Sequence, residues 1–312
     1  MRIDAHQHFW HYRASDFPWI DDAMGELKRD FLPPDLAAER EACGIEATIA
    51  VQARPVLEET DFLLDLAERE ASIVGVVGWV DLEADDLDAT LERWHGSRLC
   101  GFRHLIQDES DPSDYLRRGD VQRGVQRLQR AGWCYDVLVT AAHLPATLDF
   151  CRACDAHTLV LDHLGKPDVR SHLESVRRSA FDDWRREFAR LGELPHLACK
   201  VSGLITEADW QRWRPEDLRP YLDVALETFG ERRLLFGSDW PVCRVAGDYR
   251  AAFALVDDWA TERGLDRDAL FGGNAQRWYG LMPPPALDAD LDTRLDTWLD
   301  TQAHSSTQER RP

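Results

Sequence analysis

The sequence predicts one α/β domain, a (β/α)₈ barrel of the TIM type. Three observations predict it. Eight short apolar runs rich in Val, Ile and Leu recur along the chain, as strands buried on both faces require. Eight amphipathic stretches alternate with them, the pattern of a parallel sheet wrapped by helices. A length of 312 residues suits one barrel with a tail as well as two smaller domains, so the alternation decides between them.

The strands fall at 2–8, 47–52, 74–80, 101–106, 134–139, 159–163, 198–202 and 234–239. The helices fall at 34–43, 57–70, 88–95, 115–131, 144–154, 181–191, 216–229 and 249–263. Pro33-Pro34 opens the first helix, because proline fits a first turn. Leu57, Phe62, Leu63, Leu66 and Ala67 give the second its apolar face. Gly44, Gly132, Gly192 and Gly230 stand where helices should stop. Two long segments, 10–31 and 166–178, follow the first and sixth strands and belong to the C-terminal face of the barrel, where active sites lie. Gly272-Gly273-Asn274-Ala275 reads as a helix entry capped by Asn274. The barrel is expected over 1–285. An acidic and polar tail follows over 286–312, with a short helix around 291–299 and a disordered end.

Thirty-seven basic residues against 57 acidic ones leave a formal charge of −20, which repels nucleic acid and anionic lipid. No stretch approaches the roughly 18 apolar residues of a membrane span. Seven cysteines cannot all pair, and the first residues lack the apolar core of a secretory signal, so a reduced cytoplasmic protein is expected. Composition says nothing of the oligomeric state.

The chemistry-bearing residues cluster at strand ends. His6 and His8 share one face of the first strand and can converge on a metal or a substrate. His163 ends the sixth strand and Asp239 the eighth, which adjoins the first once a barrel closes. Asp239 could be a general base, a metal ligand or a helix cap. Arg103-His104 ends the fourth strand; Arg103 suits a hydroxyl-rich substrate or an ion pair with Asp4 or Asp136. Gln52 and Trp79, on the second and third strands, are further candidates, and Trp10, Trp19 and Trp240 are placed to line the mouth. The chain has only three lysines. Lys166 follows His163 and is a substrate ligand or a solvated cation. Lys200 lies inside the seventh strand and needs a partner there, as an imine-forming lysine, a carboxylate anchor or a structural ion pair. Cys151 and Cys154 end a helix with no second pair, which argues against zinc or redox chemistry.

Taken in order, these pieces resemble the amidohydrolase superfamily, in its amidohydrolase-2 branch of lactonases and decarboxylases. The resemblance is carried by Ile3-Asp4-Ala5-His6-Gln7-His8-Phe9-Trp10, Gly101-Phe102-Arg103-His104, Leu161-Asp162-His163-Leu164-Gly165-Lys166-Pro167, Lys200-Val201-Ser202-Gly203-Leu204, Phe236-Gly237-Ser238-Asp239-Trp240-Pro241 and Gly272-Gly273-Asn274-Ala275, closing at Tyr279-Gly280-Leu281. It runs from Met1 to about Leu281. The opening His6-x-His8 with Trp10 is most similar to the sugar-lactone hydrolases of that branch, acting on compounds such as fuconolactone or rhamnonolactone.

The resemblance implies a distorted barrel with His6, His8, His163 and Asp239 around the reacting centre. Asp239 would take the proton of the attacking water, in an ester hydrolysis of carbohydrate metabolism. Arg103, His104, Trp10, Lys166 and Gln52 would bind the small-molecule lactone. The fourth and fifth strands offer no lysine for carbamylation and no second histidine cluster, so at most one divalent metal is expected. That metal would be zinc held by the same four residues, with metal-free catalysis the other possibility. The alternatives are a metal-dependent decarboxylase of a cyclic or aromatic acid, anchored by Arg103 or Lys200, and a barrel that binds sugar acids without catalysis.

Overall fold

The computed structural model describes residues 1–173 and 179–281. Eight parallel strands pair in sequence order: β1 (Ile3–Gln7), β2 (Ala47–Val51), β3 (Ile73–Gly78), β4 (Leu99–His104), β5 (Cys134–Val137), β6 (Leu159–Leu161), β7 (Leu197–Val201) and β8 (Leu234–Phe236). Almost every strand residue is buried, which is why the runs are apolar rather than alternating. Helices lie between successive strands, giving the expected (β/α)₈ barrel. Met1–Gly280 form one compact unit that carries all of these elements. No helix among the described residues is long and apolar enough to cross a membrane.

The ring closes between β1 and the segment just past β8. The Asp239 N–H donates to the His6 carbonyl at 2.8 Å, and the His8 N–H to the Trp240 carbonyl at 2.7 Å. Asp4 adds a side-chain tie. Its Oδ1 accepts from the backbone N–H groups of His6 (3.0 Å) and Ser238 (2.9 Å), and its Oδ2 from the Ser238 hydroxyl at 2.5 Å. This seam sets His6 and Asp239 side by side.

The structure departs from the sequence reading in particular places. The stretch 115–131 is not one helix but two, Pro112–Arg117 and Gly119–Arg130, with extended backbone at Arg118 between them. Asp111 caps the first, accepting from the Asp114 N–H, and the second lies so close to the Leu82 carbonyl that a Cβ on Gly124 would stand 2.3 Å from it. Gly44, Gly132 and Gly230 take positive φ at helix ends, but Gly192 does not; its missing Cβ instead leaves room for the Thr228 carbonyl. Asn274 is not a cap. It is the first residue of its helix, with Gly273 at the cap position, and donates to the carbonyls of Glu231 (2.7 Å) and Leu234 (2.8 Å), tying the helix to β8. The loop 10–31 is pinned by paired backbone bonds between Trp10 and Phe31 and holds a 3₁₀ turn at Gly25–Leu27. The segment 166–178 begins with a short helix, Val169–Leu173. The rest of that segment to 178, and the tail with its helix at 291–299, lie outside the described residues.

Candidate active site

The site forms where β1, β6 and β8 end. Alternation along β1 places His6 and His8 on one side, so that their Nε2 atoms lie 3.2 Å apart. β6 and β8 stop before the residues expected to end them, and the chain then turns sharply. His163, Leu164 and Lys166 have φ of 52°, 54° and 46°, and Asp239 has φ of 57°. Among the described residues these are the only non-glycine residues with positive φ. Each such conformation costs on the order of 1–2 kcal/mol, and all are spent at one mouth. Two glycines make the room. A Cβ on Gly203 would stand 2.6 Å from His163 Nδ1, and one on Gly237 would stand 2.6 Å from His6 Cβ.

Three imidazoles surround one carboxylate oxygen. Asp239 Oδ1 lies 3.5 Å from His8 Nε2, 3.7 Å from His6 Nε2 and 3.9 Å from His163 Nε2. Each ring is held from behind through Nδ1. His8 donates to the Val51 carbonyl at 2.7 Å, His163 meets the Ser202 hydroxyl at 2.8 Å, and His6 faces Lys200 Nζ at 3.1 Å. Burial and the Lys200 charge hold His6 well below the usual imidazole range. Burial lowers His163 to about 4, although Asp239 opposes it. Burial works against the charge of Asp239 as well, but His163 and His8 outweigh it and keep that carboxyl below its ordinary value. At neutral pH the centre is a carboxylate facing neutral His6 and His163.

A zinc ion is the metal to test against this set. Ligands at about 2.0–2.1 Å around a tetrahedral ion stand about 3.3 Å apart, which the spacing of His6, His8 and Asp239 approximates. The ring proton of His6 decides whether its nitrogen is open to that ion. Two cations meet the ring, Lys200 Nζ at 3.1 Å from Nδ1 and Arg103 Nη1 at 3.3 Å from Nε2; a proton on Nε2 suits the first, and a proton on Nδ1 suits the second. A bound ion would take the lone pair of Nε2 and so requires the proton on Nδ1. With that placement His6, His8 and Asp239 would hold the ion, which would polarise the carbonyl or acidify a water.

Beneath the histidines lies a buried charge cluster. Lys200 Nζ donates to Asp136 Oδ2 at 2.5 Å and forms an ion pair with Asp162 Oδ1 at 2.9 Å. Arg103 Nη1 bonds Asp162 Oδ2 at 3.0 Å, and its Nη2 donates to the Gln52 carbonyl. The partner of Arg103 is thus Asp162, neither Asp4 nor Asp136, because β6 delivers Asp162 between Arg103 and Lys200. Gln52 returns a bond from its own amide to the Arg103 carbonyl at 3.1 Å, so it braces that arginine from within the wall. Among the readings open for Lys200, the structure assigns the ion pair.

A cleft of about 500 Å³, counting the space open to solvent, lies above the centre. His8, His163, Asp239, Arg103 and Lys166 line it, together with Trp19. Lys166 stands 3.7 Å from Glu207. Trp10 is placed otherwise: it is buried behind Trp19, its indole N–H donating to the Arg29 carbonyl. His104 is also drawn aside. It accepts from the Trp79 indole, bonds Glu109 at 2.7 Å and stacks on Tyr115. Trp240 packs against Phe9 and Phe31 in the core. Gln107 and Asp108 line the cleft from a turn after β4 that the sequence reading left unassigned. The signal for them was positional, since every loop at this end of a barrel borders the mouth. Cys151 and Cys154 are buried thiols whose pKa values burial raises, far from reactive character.

The profile of a family described as amidohydrolase matches residues 3–281. The L-fucono-1,5-lactonase of Burkholderia multivorans is 49% identical over 297 residues, spanning 93% of this chain and 99% of that protein. The L-fucono-1,5-lactonase of Burkholderia ambifaria is 36% identical over 293 residues, spanning 91% and 97%. A crystal structure of an amidohydrolase from Burkholderia multivorans with bound zinc, 47% identical, superposes with a TM-score of 0.86 over 90% of this chain and 100% of that one.

Proposed function

Because the chain belongs to the amidohydrolase family, we propose that it is a hydrolase that opens a sugar lactone to its aldonic acid. One observation carries the reading most: three imidazoles converge on the buried, ionised Asp239 at the floor of an open cleft. The similarity to two proteins named L-fucono-1,5-lactonase supports the substrate class and makes that lactone the first compound to try.

In the proposed reaction a water sits between Asp239 and the lactone carbonyl. As its oxygen bonds to the carbonyl carbon, its proton passes to Asp239, a general-base contribution of about 10²–10⁴-fold. The carbonyl oxygen becomes an oxyanion and meets the Nε2–H of His163, which lines the cleft and whose Nδ1 accepts the Ser202 hydroxyl; one such donor is worth about 10²–10³-fold. Collapse breaks the ring C–O bond, and the proton held on Asp239 passes to the leaving ring oxygen. The product is an open-chain hydroxy acid. Arg103 holds Asp162 and Gln52 behind the centre, while Lys166, Gln107 and Asp108 present polar groups to the sugar hydroxyls and Trp19 presents its face.

The decarboxylase reading gains no such observation. Its anchors, Arg103 and Lys200, are already engaged with Asp162 and Asp136. The test is acid release from a panel of sugar lactones that includes L-fucono-1,5-lactone. Asp239→Asn should bind the lactone and lose about 10²–10⁴-fold in kcat. Near-normal turnover by that variant would remove Asp239 as the base, and no turnover by the native protein on any lactone would sink the substrate class.

A further inference from the structure

Lys200 is fully buried in β7, and the hydrolytic chemistry makes no direct use of it. Its position is nevertheless tightly determined. Asp136 and Asp162 hold its ammonium, the Tyr279 hydroxyl donates to both oxygens of Asp136 (2.7 and 2.9 Å), and the Tyr279 ring lies 5.5 Å from Nζ. Two carboxylates keep the amine protonated, which excludes imine chemistry. The remaining direction points at His6.

A neutral imidazole has one N–H and one lone pair, so His6 can join only one of two networks. With the proton on Nε2, Lys200 donates to Nδ1 at 3.1 Å and Nε2–H donates to His8 Nε2 at 3.2 Å. His8 can accept there, because its own proton is committed to the Val51 carbonyl. Two contacts in this network are unfavourable: the Arg103 N–H lies 3.3 Å from His6 Nε2, and the lone pair of Nδ1 faces Asp162 Oδ1 at 3.3 Å. With the proton on Nδ1, His6 reaches Asp162 Oδ1 at 3.3 Å and accepts from Arg103. That arrangement sets the ammonium against an N–H at 3.1 Å and two imidazole lone pairs against each other at 3.2 Å. Each network has two bonds and two conflicts, but the first makes its bonds at the shorter contacts, 3.1 and 3.2 Å, and leaves its conflicts at 3.3 Å. The second is the one a metal requires.

We propose that Lys200 is a positioning residue: its ammonium, held by Asp136 and Asp162, donates to His6 Nδ1 and keeps the ring proton on Nε2, on the side of His8 and Asp239. The same bond denies a divalent cation the lone pair of that nitrogen. The assignment deepens the hydrolytic reading of the site and rests on it for its purpose, but its test needs no substrate.

The test is the ¹⁵N spectrum of the histidine side chains in the metal-free, full-length protein, with His6 assigned by the signals lost in His6→Gln. The expected spectrum shows a protonated Nε2 and a hydrogen-bonded acceptor Nδ1. A proton on Nδ1 in the native protein overturns the proposal, and this needs no Lys200 variant to fold. In Lys200→Met the proton should move to Nδ1. Calorimetry with zinc alone should then show binding about 10–100-fold tighter than native, the worth of one hydrogen bond to a charged group. An unchanged tautomer in that variant overturns the assignment, as does unchanged zinc affinity. A native protein with the expected spectrum that opens no lactone would refute the substrate class and leave the role of Lys200 standing.

Discussion

Gly203→Ala adds one methyl group, and its consequences can be worked from distances. The new Cβ would lie 2.6 Å from His163 Nδ1, 2.9 Å from His163 Cγ and 3.2 Å from Asp239 Oδ2. Ordinary contact begins at 3.4 Å, so the ring must retreat by about 0.8 Å. It cannot do so and keep its 2.8 Å bond to Ser202. A shift of about 1 Å in a positioned group can cost about 100-fold in rate, so kcat should fall by about that factor. The left-handed backbone at φ +61 adds about 1–2 kcal/mol of instability. A control separates the two effects. Gly96 has φ +78 and nothing within 4 Å of its absent Cβ, so Gly96→Ala should lose similar stability with native kcat. The assay is steady-state lactone hydrolysis beside denaturant unfolding of both variants. Native kcat in Gly203→Ala, or an equal loss of kcat in Gly96→Ala, would refute the claim that this glycine makes room for His163.

Further outcomes follow from the same geometry. Tyr279→Phe removes the hydroxyl that donates to Asp136 and should destabilise the fold by about 1.5–3 kcal/mol in denaturant unfolding; an unchanged midpoint would show that the bond contributes nothing. Lys166→Met should raise KM by about tenfold with kcat little changed, as expected for uniform binding at the cleft rim, and an unaltered KM would remove Lys166 from substrate contact. Exhaustive chelation should leave kcat/KM unchanged, because in the proposed state His6 turns an N–H rather than a lone pair toward His8 and Asp239; activity lost on chelation and restored by zinc would contradict that proton placement.

The fold was legible because its signal is redundant. Each of the eight strands is buried on both faces, so each announces itself as an apolar run, and strand order in a barrel is sequence order. His6, His8, His163 and Asp239 were legible because the fold places strand ends at one mouth, and a polar residue ending an apolar run stands out. Other features were hidden for physical reasons. Nothing in the residue types shows that the backbone at His163 or Asp239 turns left-handed, since the surrounding structure imposes that conformation. Trp10 and His104 sit at strand ends as the cleft residues do, but contacts remote in sequence (Arg29 for one, Glu109 and Tyr115 for the other) turn them into the wall. The pairing of Arg103 with Asp162 rather than Asp136 likewise depends on which side chain fills the space between two cations.

That cluster raises a question of cost. Lys200, Arg103, Asp136 and Asp162 are two cations and two anions with almost no exposure, and well-packed apolar residues in such places often give equal or greater stability. Stability alone therefore does not account for the arrangement, whereas polarity does. A carboxylate acting as general base needs the dipoles around it already oriented, because reorganising them during the reaction would consume the gain. An apolar floor would leave His6 free to carry its proton on either nitrogen, and would leave His8 facing a lone pair in half of those states. An ammonium behind Nδ1 makes one state dominant without touching the substrate. Asp136 and Asp162 neutralise that ammonium from below, and Arg103 balances the second carboxylate, so the cluster aims a proton without leaving a net charge under the site.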